Sequence, residues 1–205
     1  MIRGPQYKIS RRLGEAIFPK CQTTKFAISG AQNKNTRGRG RKGNVSEYGA
    51  QLLEKQKVRL TYGVSEKQFS NYIKKARGLK GANVQNEIFK MLETRLDNVV
   101  FRLGLAPSRA FGRQMVSHGH ILVNGRRLNI PSYNVKLGDK IGVRPQSKEK
   151  GLFNNLTERL KDFTTSNWMV LNESKLEAEI KTWPEFNNQE SNLNLSAIIE
   201  FYSRV

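Results

Sequence analysis

Apolar residues recur at the spacing of amphipathic helices through the first half of the chain. Ser46 and Ser65 occupy positions expected of helix N-caps, and Gly63 and Gly78 follow the last apolar residues of the two stretches that these serines begin. Farther along, the same apolar spacing recurs in shorter segments. The pattern predicts helices over residues 46–62, 65–78, 83–94, 96–103 and 108–118.

A short β-hairpin is predicted directly after these helices. Residues 121–123 are Ile-Leu-Val, and Asn124-Gly125 is the dipeptide that most favours a tight hairpin turn before a return strand over 126–130. Further strands are predicted over 140–143 and at the C-terminus over 197–202. Helices followed by a small sheet indicate an α+β fold.

The charge of the chain is high and unevenly distributed. Its 205 residues hold 36 Lys and Arg against 17 Asp and Glu, for a net charge of +19. The first 150 residues contain 31 basic and nine acidic residues, a net charge of +22, whereas residues 151–205 carry −3. This amount of positive charge calls for a polyanionic partner, and nucleic acid is the first candidate.

Charge and element type together divide the chain into three predicted parts. These are a basic helical domain over 1–93, a two-helix and β-hairpin RNA-binding domain over 94–150, and an acidic extension over 151–205. Because the extension is acidic, we expect it to pack back on the N-terminal helices rather than to bind the polyanion. Residues 30–45 are dense in Gly and Arg and are predicted to form a basic loop.

Several classes of protein do not fit this composition. Cys21 is the only cysteine, so neither an internal disulfide nor a multi-cysteine zinc site is expected. His118 and His120 have no third ligand nearby, and we expect no metal and no cofactor. The chain contains no apolar run long enough to span a bilayer and does not begin with a secretory signal, so no membrane is expected as a partner. A cytoplasmic location is expected, with an organellar presequence as the alternative.

Arginines concentrate around the predicted hairpin. Between positions 95 and 127 six arginines accompany a single acid, Asp97. A guanidinium group suits a phosphate because it can donate two parallel hydrogen bonds. We interpret the arginines as one phosphate-binding face, and Asp97 as an acid that stabilises the start of its helix.

These residues carry a resemblance to a known family. The segments RLDNVVFRLG at 95–104, SHGHILVNG at 117–125 and NIPSY at 129–133 resemble small-subunit ribosomal protein four of bacterial type. The resemblance extends to SEYG at 46–49, EKQKVR at 54–59, YG at 62–63, EKQF at 66–69, GP at 4–5, RRLG at 11–14 and IIEFYSR at 198–204. Residues 19–45 and 151–195 match the family poorly.

The resemblance implies a structural constituent of the small ribosomal subunit. It implies direct binding to small-subunit rRNA at a helical junction, nucleation of the subunit body, and a contribution to translational accuracy. The implied partners are the rRNA, mRNA where it enters the subunit, and ribosomal proteins three and five of the small subunit. The lone Cys21 indicates the form of the family that lacks zinc.

The basic positions that match the family are the predicted binding residues. Arg37, Arg39, Arg41 and Lys42 are candidates for contacts with rRNA or with entering mRNA, although the loop departs from the family pattern. The predicted rRNA-binding residues are Arg3, Arg11, Arg12, Lys55, Lys57, Arg59, Lys74, Lys75, Arg77, Lys80, Arg95, Arg102, Arg109, Arg113, His118, Asn124, Arg126 and Arg127.

Two other functions share parts of this pattern. The helix pair with its hairpin also resembles the RNA-binding module of pseudouridine synthases, and Arg95-Leu96-Asp97 mimics their catalytic Arg-Leu-Asp. The rest of the chain is too short to add a uridine pocket, so no enzymatic activity is expected. A DNA-reading helix-turn-helix would also use two closely connected helices, but the hairpin directly after the second helix argues against it.

Overall fold

A computed structural model describes residues 4–24, 26, 46–79, 81–148, 156, 160, 163, 165–172, 176–187 and 193–204. Its helices in chain order are α1 (Gln6–Leu13), α2 (Glu47–Tyr62), α3 (Glu66–Gly78), α4 (Val84–Glu93), α5 (Leu96–Arg102), α6 (Arg109–Ser117), α7 (Pro145–Lys148) and α8 (Leu195–Ser203). The strands are β1 (Ile121–Val123), β2 (Arg126–Arg127), β3 (Lys140–Val143), β4 (Met169–Asn172) and β5 (Glu177–Ile180). Pro19–Cys21 form a 3₁₀ turn. The predicted α+β class is confirmed.

The chain divides into two compact units. The first comprises residues 1–81 and 187–205, and the second comprises residues 82–186. No described helix has the length and apolar character needed to cross a membrane.

The first unit is built on α2 and α3, which begin and end where the sequence predicts. The Ser46 hydroxyl accepts a hydrogen bond from the Gly49 amide at 3.2 Å, and the Ser65 hydroxyl accepts one from the Gln68 amide at 3.3 Å. Gly63 ends α2 with a φ of 65°, a conformation that glycine adopts without strain. The apolar faces of these helices bury Val58, Phe69 and Ile73.

The C-terminal segment 195–203 is a helix, and the predicted terminal strand over 197–202 is wrong. The Asn194 side chain caps α8 by accepting a hydrogen bond from the Ala197 amide at 3.1 Å. Leu195, Ile198 and Phe201 are buried at a spacing of three residues, which places them on one face of a helix packed against α2. A run of consecutive apolar residues looks alike for a buried strand and a buried helix, and here the cap and the packing decide.

The second unit packs α5 and α6 against an antiparallel sheet. The strand order is β2-β1-β3-β5-β4, and the β1–β2 register pairs Val123 with Arg126. Asn124 and Gly125 both have positive φ, 51° and 76°, as the tight hairpin turn requires. The return strand is shorter than predicted, because it ends at Arg127. Buried side chains from the helices and the sheet, among them Leu96, Val100 and Ile141, form one core.

The acidic extension is shared between the two units. Its strands β4 and β5 continue the sheet of the second unit through the pairing of β5 with β3, whereas α8 belongs to the first unit. In β5 the buried Ala178 and Ile180 alternate with the exposed Glu177 and Glu179. This alternation is typical of a strand with one face on a core. The arrangement differs from the expectation that the whole extension packs on the N-terminal helices.

Candidate RNA-binding surface

The helices α5 and α6 approach closely enough to bring their polar residues together. A Cβ atom at Gly112 would lie 2.7 Å from the Asp97 carbonyl oxygen, so this approach requires glycine in α6. The Ser108 hydroxyl caps α6 by accepting a hydrogen bond from the Phe111 amide at 3.2 Å. As a result, the arginines of α6 lie beside the first turn of α5.

Asp97 is a buried bridge between two arginines rather than only an acid at a helix start. The residue is 1% exposed. Arg95 Nε donates to Asp97 Oδ1 at 3.1 Å, and Arg95 Nη2 donates to Oδ2 at 2.9 Å. Arg113 donates to Oδ2 through Nε at 2.9 Å and through Nη2 at 2.6 Å. The interpretation of Asp97 as an acid that acts through the helix dipole alone is therefore wrong.

Glu93 forms a second buried bridge, which the sequence analysis did not single out. This residue is also 1% exposed. Arg102 binds its carboxylate with two hydrogen bonds, from Nε to Oε2 at 3.0 Å and from Nη2 to Oε1 at 2.9 Å. Asn98 Nδ2 donates to Glu93 Oε2 at 2.8 Å, and Asn98 Oδ1 in turn accepts from Arg109 Nε at 2.7 Å. The Arg109 guanidinium also lies 4.6 Å from the centre of the Phe101 ring.

We call Arg95, Arg102, Arg109 and Arg113 the arginine cluster. Its members differ in exposure: the side chain of Arg95 is 2% exposed, that of Arg113 is 23% and that of Arg102 is 37%. Burial leaves Arg95 no surface for a phosphate, so its predicted RNA contact does not hold in this structure. Arg102 and Arg113 combine partial exposure with a guanidinium group held by a buried carboxylate.

The predicted binding residues in and beside the hairpin, Asn124, Arg126, Arg127 and His118, are all exposed, and two of them also hold the local structure. Asn124 Nδ2 donates to Asp139 Oδ1 at 2.8 Å, and Asn124 Oδ1 accepts from the Lys140 amide at 2.9 Å, so this side chain holds the turn in place. Arg127 Nη2 donates to the His118 carbonyl at 3.2 Å. Arg126 and His118 are exposed.

The described part of the chain contains no group of three or more His, Cys, Asp and Glu side chains arranged to hold a metal ion. His120 is buried and shares a 3.0 Å hydrogen bond with the Ser147 hydroxyl. It therefore has a structural partner.

In the first unit, two of the predicted binding lysines are buried. Lys55 Nζ lies 2.9 Å from Glu66 Oε1 and 4.5 Å from the centre of the Phe201 ring. Lys57 forms an ion pair with Glu15. Lys55 is covered by α8 and Glu66, and Lys57 is buried beside Glu15, so this burial argues against their predicted RNA contacts.

Glu66 also joins α8 to α3. The Tyr202 hydroxyl donates to Glu66 Oε1 at 2.6 Å. Burial alone would raise the pKa of Glu66, but hydrogen bonds from Tyr202 and Lys55 outweigh it and hold this pKa below its ordinary value. Burial and the Glu66 hydrogen bond raise the pKa of Tyr202, so its hydroxyl stays a donor at neutral pH. The partly exposed Arg59 lies 3.5 Å from the same carboxylate.

Arg77 and Arg204 also tie α8 to the rest of the first unit. Arg77 is exposed, but its guanidinium donates to the Ile199 and Tyr202 carbonyls near the end of α8. Arg204 donates to Glu47 Oε1 at 2.8 Å, and this carboxylate raises the pKa of Arg204.

The remaining predicted residues fall into two groups. Arg11 and Arg12 in α1 and Lys74 and Lys75 in α3 are exposed cations on helices. Six further predicted residues lie outside the described part of the chain: Arg3, Arg37, Arg39, Arg41, Lys42 and Lys80.

Comparison with known proteins finds two family models that match adjacent parts of the chain and relatives that match nearly all of it. The family model described as the ribosomal protein S4/S9 N-terminal domain matches residues 1–93, and the model described as the S4 domain matches residues 94–141. A small ribosomal subunit protein uS4 from Roseiflexus sp. (strain RS-1) is 46% identical over 206 residues, which cover 98% of each chain. The protein of the same name from Chlorobium phaeovibrioides (strain DSM 265 / 1930) is 42% identical over 203 residues, covering 99% of this chain and 98% of its own.

Proposed function

The chain belongs to the uS4 family of small ribosomal subunit proteins, and from this membership we propose that it binds small-subunit rRNA directly at a helical junction. It is a structural protein of the ribosome and not an enzyme. The proposal extends this role to nucleating assembly of the subunit body and contributing to translational accuracy in a cytoplasmic ribosome. The alternative function, the RNA-binding module of an rRNA-modifying enzyme, does not fit a family of structural ribosomal proteins.

One observation supports the RNA contact most directly, the anchoring of Arg102 and Arg113. Each guanidinium binds a buried carboxylate through Nε and Nη2 while part of the side chain reaches solvent. An RNA junction presents phosphates from several strands at fixed distances, and a rigid set of cations can recognise that shape without reading bases. Arg109 and Arg126 extend this cationic surface, and Arg11, Arg12, Lys74 and Lys75 give the first unit a surface of its own.

We extend the proposal to the partners that the family resemblance implies. These are ribosomal proteins three and five, and mRNA where it enters the subunit. The acidic extension suits a protein partner better than RNA, because Glu177 and Glu179 stand exposed on β5. The basic residues between positions 30 and 45, which lie outside the described residues, suit either rRNA or mRNA.

Competitive filter binding tests the proposed function. We expect the protein to bind small-subunit rRNA at least tenfold more tightly than tRNA or duplex DNA at physiological salt, because only the rRNA presents the matching array of phosphates. Equal affinity for the three nucleic acids would mean that the protein binds them through its positive charge alone and would contradict the proposed function.

A further inference from the structure

We propose that the buried carboxylates of Glu93 and Asp97 are positioning residues for RNA recognition, which fix the directions in which Arg102, Arg109 and Arg113 present their guanidinium groups. The inference rests on the proposed function, since it concerns how that same surface achieves specificity. It assigns an RNA-binding role to two acids, although acids repel phosphate.

The geometry leads to this proposal. Glu93 binds Arg102 through two nitrogens and binds Arg109 through Asn98, and Asp97 binds Arg113 through two nitrogens. Both acids are buried, so the carboxylates themselves stay away from the RNA, while Arg102 and Arg113 stay partly exposed. Two parallel hydrogen bonds to the two oxygens of one carboxylate, as between Arg102 and Glu93, fix both the position and the plane of a guanidinium group. The two bonds from Arg113 converge on Asp97 Oδ2 and fix the position of that guanidinium group.

Fixing these planes affects specificity more than it affects total attraction. A free arginine side chain samples many rotamers and loses that freedom when it binds a phosphate. An anchored arginine has already lost it, but it can bind only a phosphate that lies in the right place. The buried acids therefore favour RNA whose phosphates match the cluster over RNA of any other shape.

If net charge alone determined RNA affinity, removal of either acid would strengthen binding instead of weakening it. Replacing a buried carboxylate by an amide raises the net charge by one, so a protein bound by charge alone should hold every RNA more tightly and with a steeper salt dependence. If the carboxylate positions arginines, the same change should weaken binding to the matching RNA only. The two mechanisms thus differ in direction as well as in size.

Glu93→Gln is the sharpest test. A glutamine keeps an acceptor oxygen at only one of the two carboxylate positions. Its NH₂ group at the other position faces a nitrogen of Arg102 or Asn98, so the two-point anchor is lost. We expect affinity for small-subunit rRNA to fall about three- to tenfold, affinity for a plain RNA duplex to stay level or rise, and the salt slope on the rRNA to decrease by about one.

Glu87→Gln is the matched control, because Glu87 lies on the same helix α4 and pairs with Lys90 at 3.8 Å. It removes the same charge without releasing an arginine, so binding to both RNAs should stay level or tighten slightly. If Glu93→Gln behaves like this control, the positioning role is overturned. Equal weakening by Glu93→Gln on the rRNA and on the duplex would also overturn it.

Arg102→Lys provides a second variant that keeps every charge and every buried carboxylate. Lysine cannot reproduce the two-point contact with Glu93, so this variant should also lose the preference for rRNA while keeping its affinity for the duplex. An unchanged preference overturns the proposal even if Glu93→Gln fails to fold. The unaltered protein separates this inference from the proposed function. If the unaltered protein shows no preference for rRNA, the proposed function fails. If it prefers rRNA and both variants keep that preference, only the positioning role is overturned.

Discussion

The two compact units hold cations that look alike in the sequence but lie in opposite environments. In the first unit, Lys55 and Lys57 lie buried beside carboxylates, and Lys55 also lies against aromatic rings of α8. In the second unit, Arg102 and Arg113 also bind carboxylates but keep 37% and 23% of their side chains exposed. A planar guanidinium can bind a carboxylate along one edge and direct another edge outward, whereas an ammonium group is a compact point charge. The lysines therefore support the fold of the first unit, whereas the arginines keep part of their side chains accessible, as our proposal for RNA binding requires.

Salt dependence is the largest effect we expect. Its slope measures how many exposed cations of the two units contact RNA phosphates. If roughly six to ten phosphates are neutralised, affinity for small-subunit rRNA should fall about 10³- to 10⁵-fold between roughly 50 and 200 mM salt. Filter binding across that range gives the slope directly. A flat response would contradict the view that exposed cations drive the association.

Removal of Asp97 should produce the largest loss of stability. Asp97→Ala removes two hydrogen bonds from the guanidinium group of Arg95, which is 2% exposed, and two from that of Arg113. We expect the free energy of unfolding to fall by about 3–5 kcal/mol, the usual cost of breaking a buried pair from one side. Urea unfolding measures this loss.

Glu87→Ala is the control for this loss, since the ion pair of Glu87 with Lys90 is partly exposed and should contribute less than about 1 kcal/mol. Similar losses in the two variants would mean that the Asp97 bridge is no stronger than a surface pair.

Local signals in the sequence predict α2 to α6 and the hairpin well, but not the partners of the charges. Ser46, Ser65 and Asn124-Gly125 act within a few residues of themselves, so their effects can be read from neighbours in the chain. Glu93 and Arg102 stand nine positions apart on different helices, and Asp97 and Arg113 sixteen apart, so their pairing depends on how α4, α5 and α6 pack. The strands β4 and β5 were missed for the same reason: β5 pairs with β3 across a long stretch of chain, and its side-chain alternation covers only four residues.

Lysines of the first unit allow buried and exposed cations to be compared within one unit. Lys55→Gln should lower the free energy of unfolding by about 1–2 kcal/mol, because the variant loses its ion pair with Glu66 and its contact with the Phe201 ring. Affinity of the folded protein for rRNA should change less than about threefold, since Lys55 is covered. Thermal unfolding and filter binding on the same sample separate the two effects.

The matched variant is Lys74→Gln with Lys75→Gln, which alters exposed cations on α3. It should weaken rRNA binding about tenfold and leave stability within about 0.5 kcal/mol. If Lys55→Gln weakened binding as much as this pair, burial would not distinguish cations that bind RNA from cations that support the fold.

The smallest expected effect concerns the pH dependence of the Glu66 contact with α8. The pKa of Glu66 is lower in the folded protein than its ordinary value, so ionised Glu66 stabilises the fold above that ordinary value, and this stabilisation is lost as the pH falls through the folded pKa. Because the Glu66 side chain is 45% exposed, solvent screening limits the contribution to less than about 1 kcal/mol. The difference in unfolding free energy between the unaltered protein and Glu66→Gln should therefore be constant near neutral pH and shrink in acid. A Glu66→Gln difference that grew in acid would contradict the assignment of Glu66 as an ionised partner of Lys55 and Tyr202.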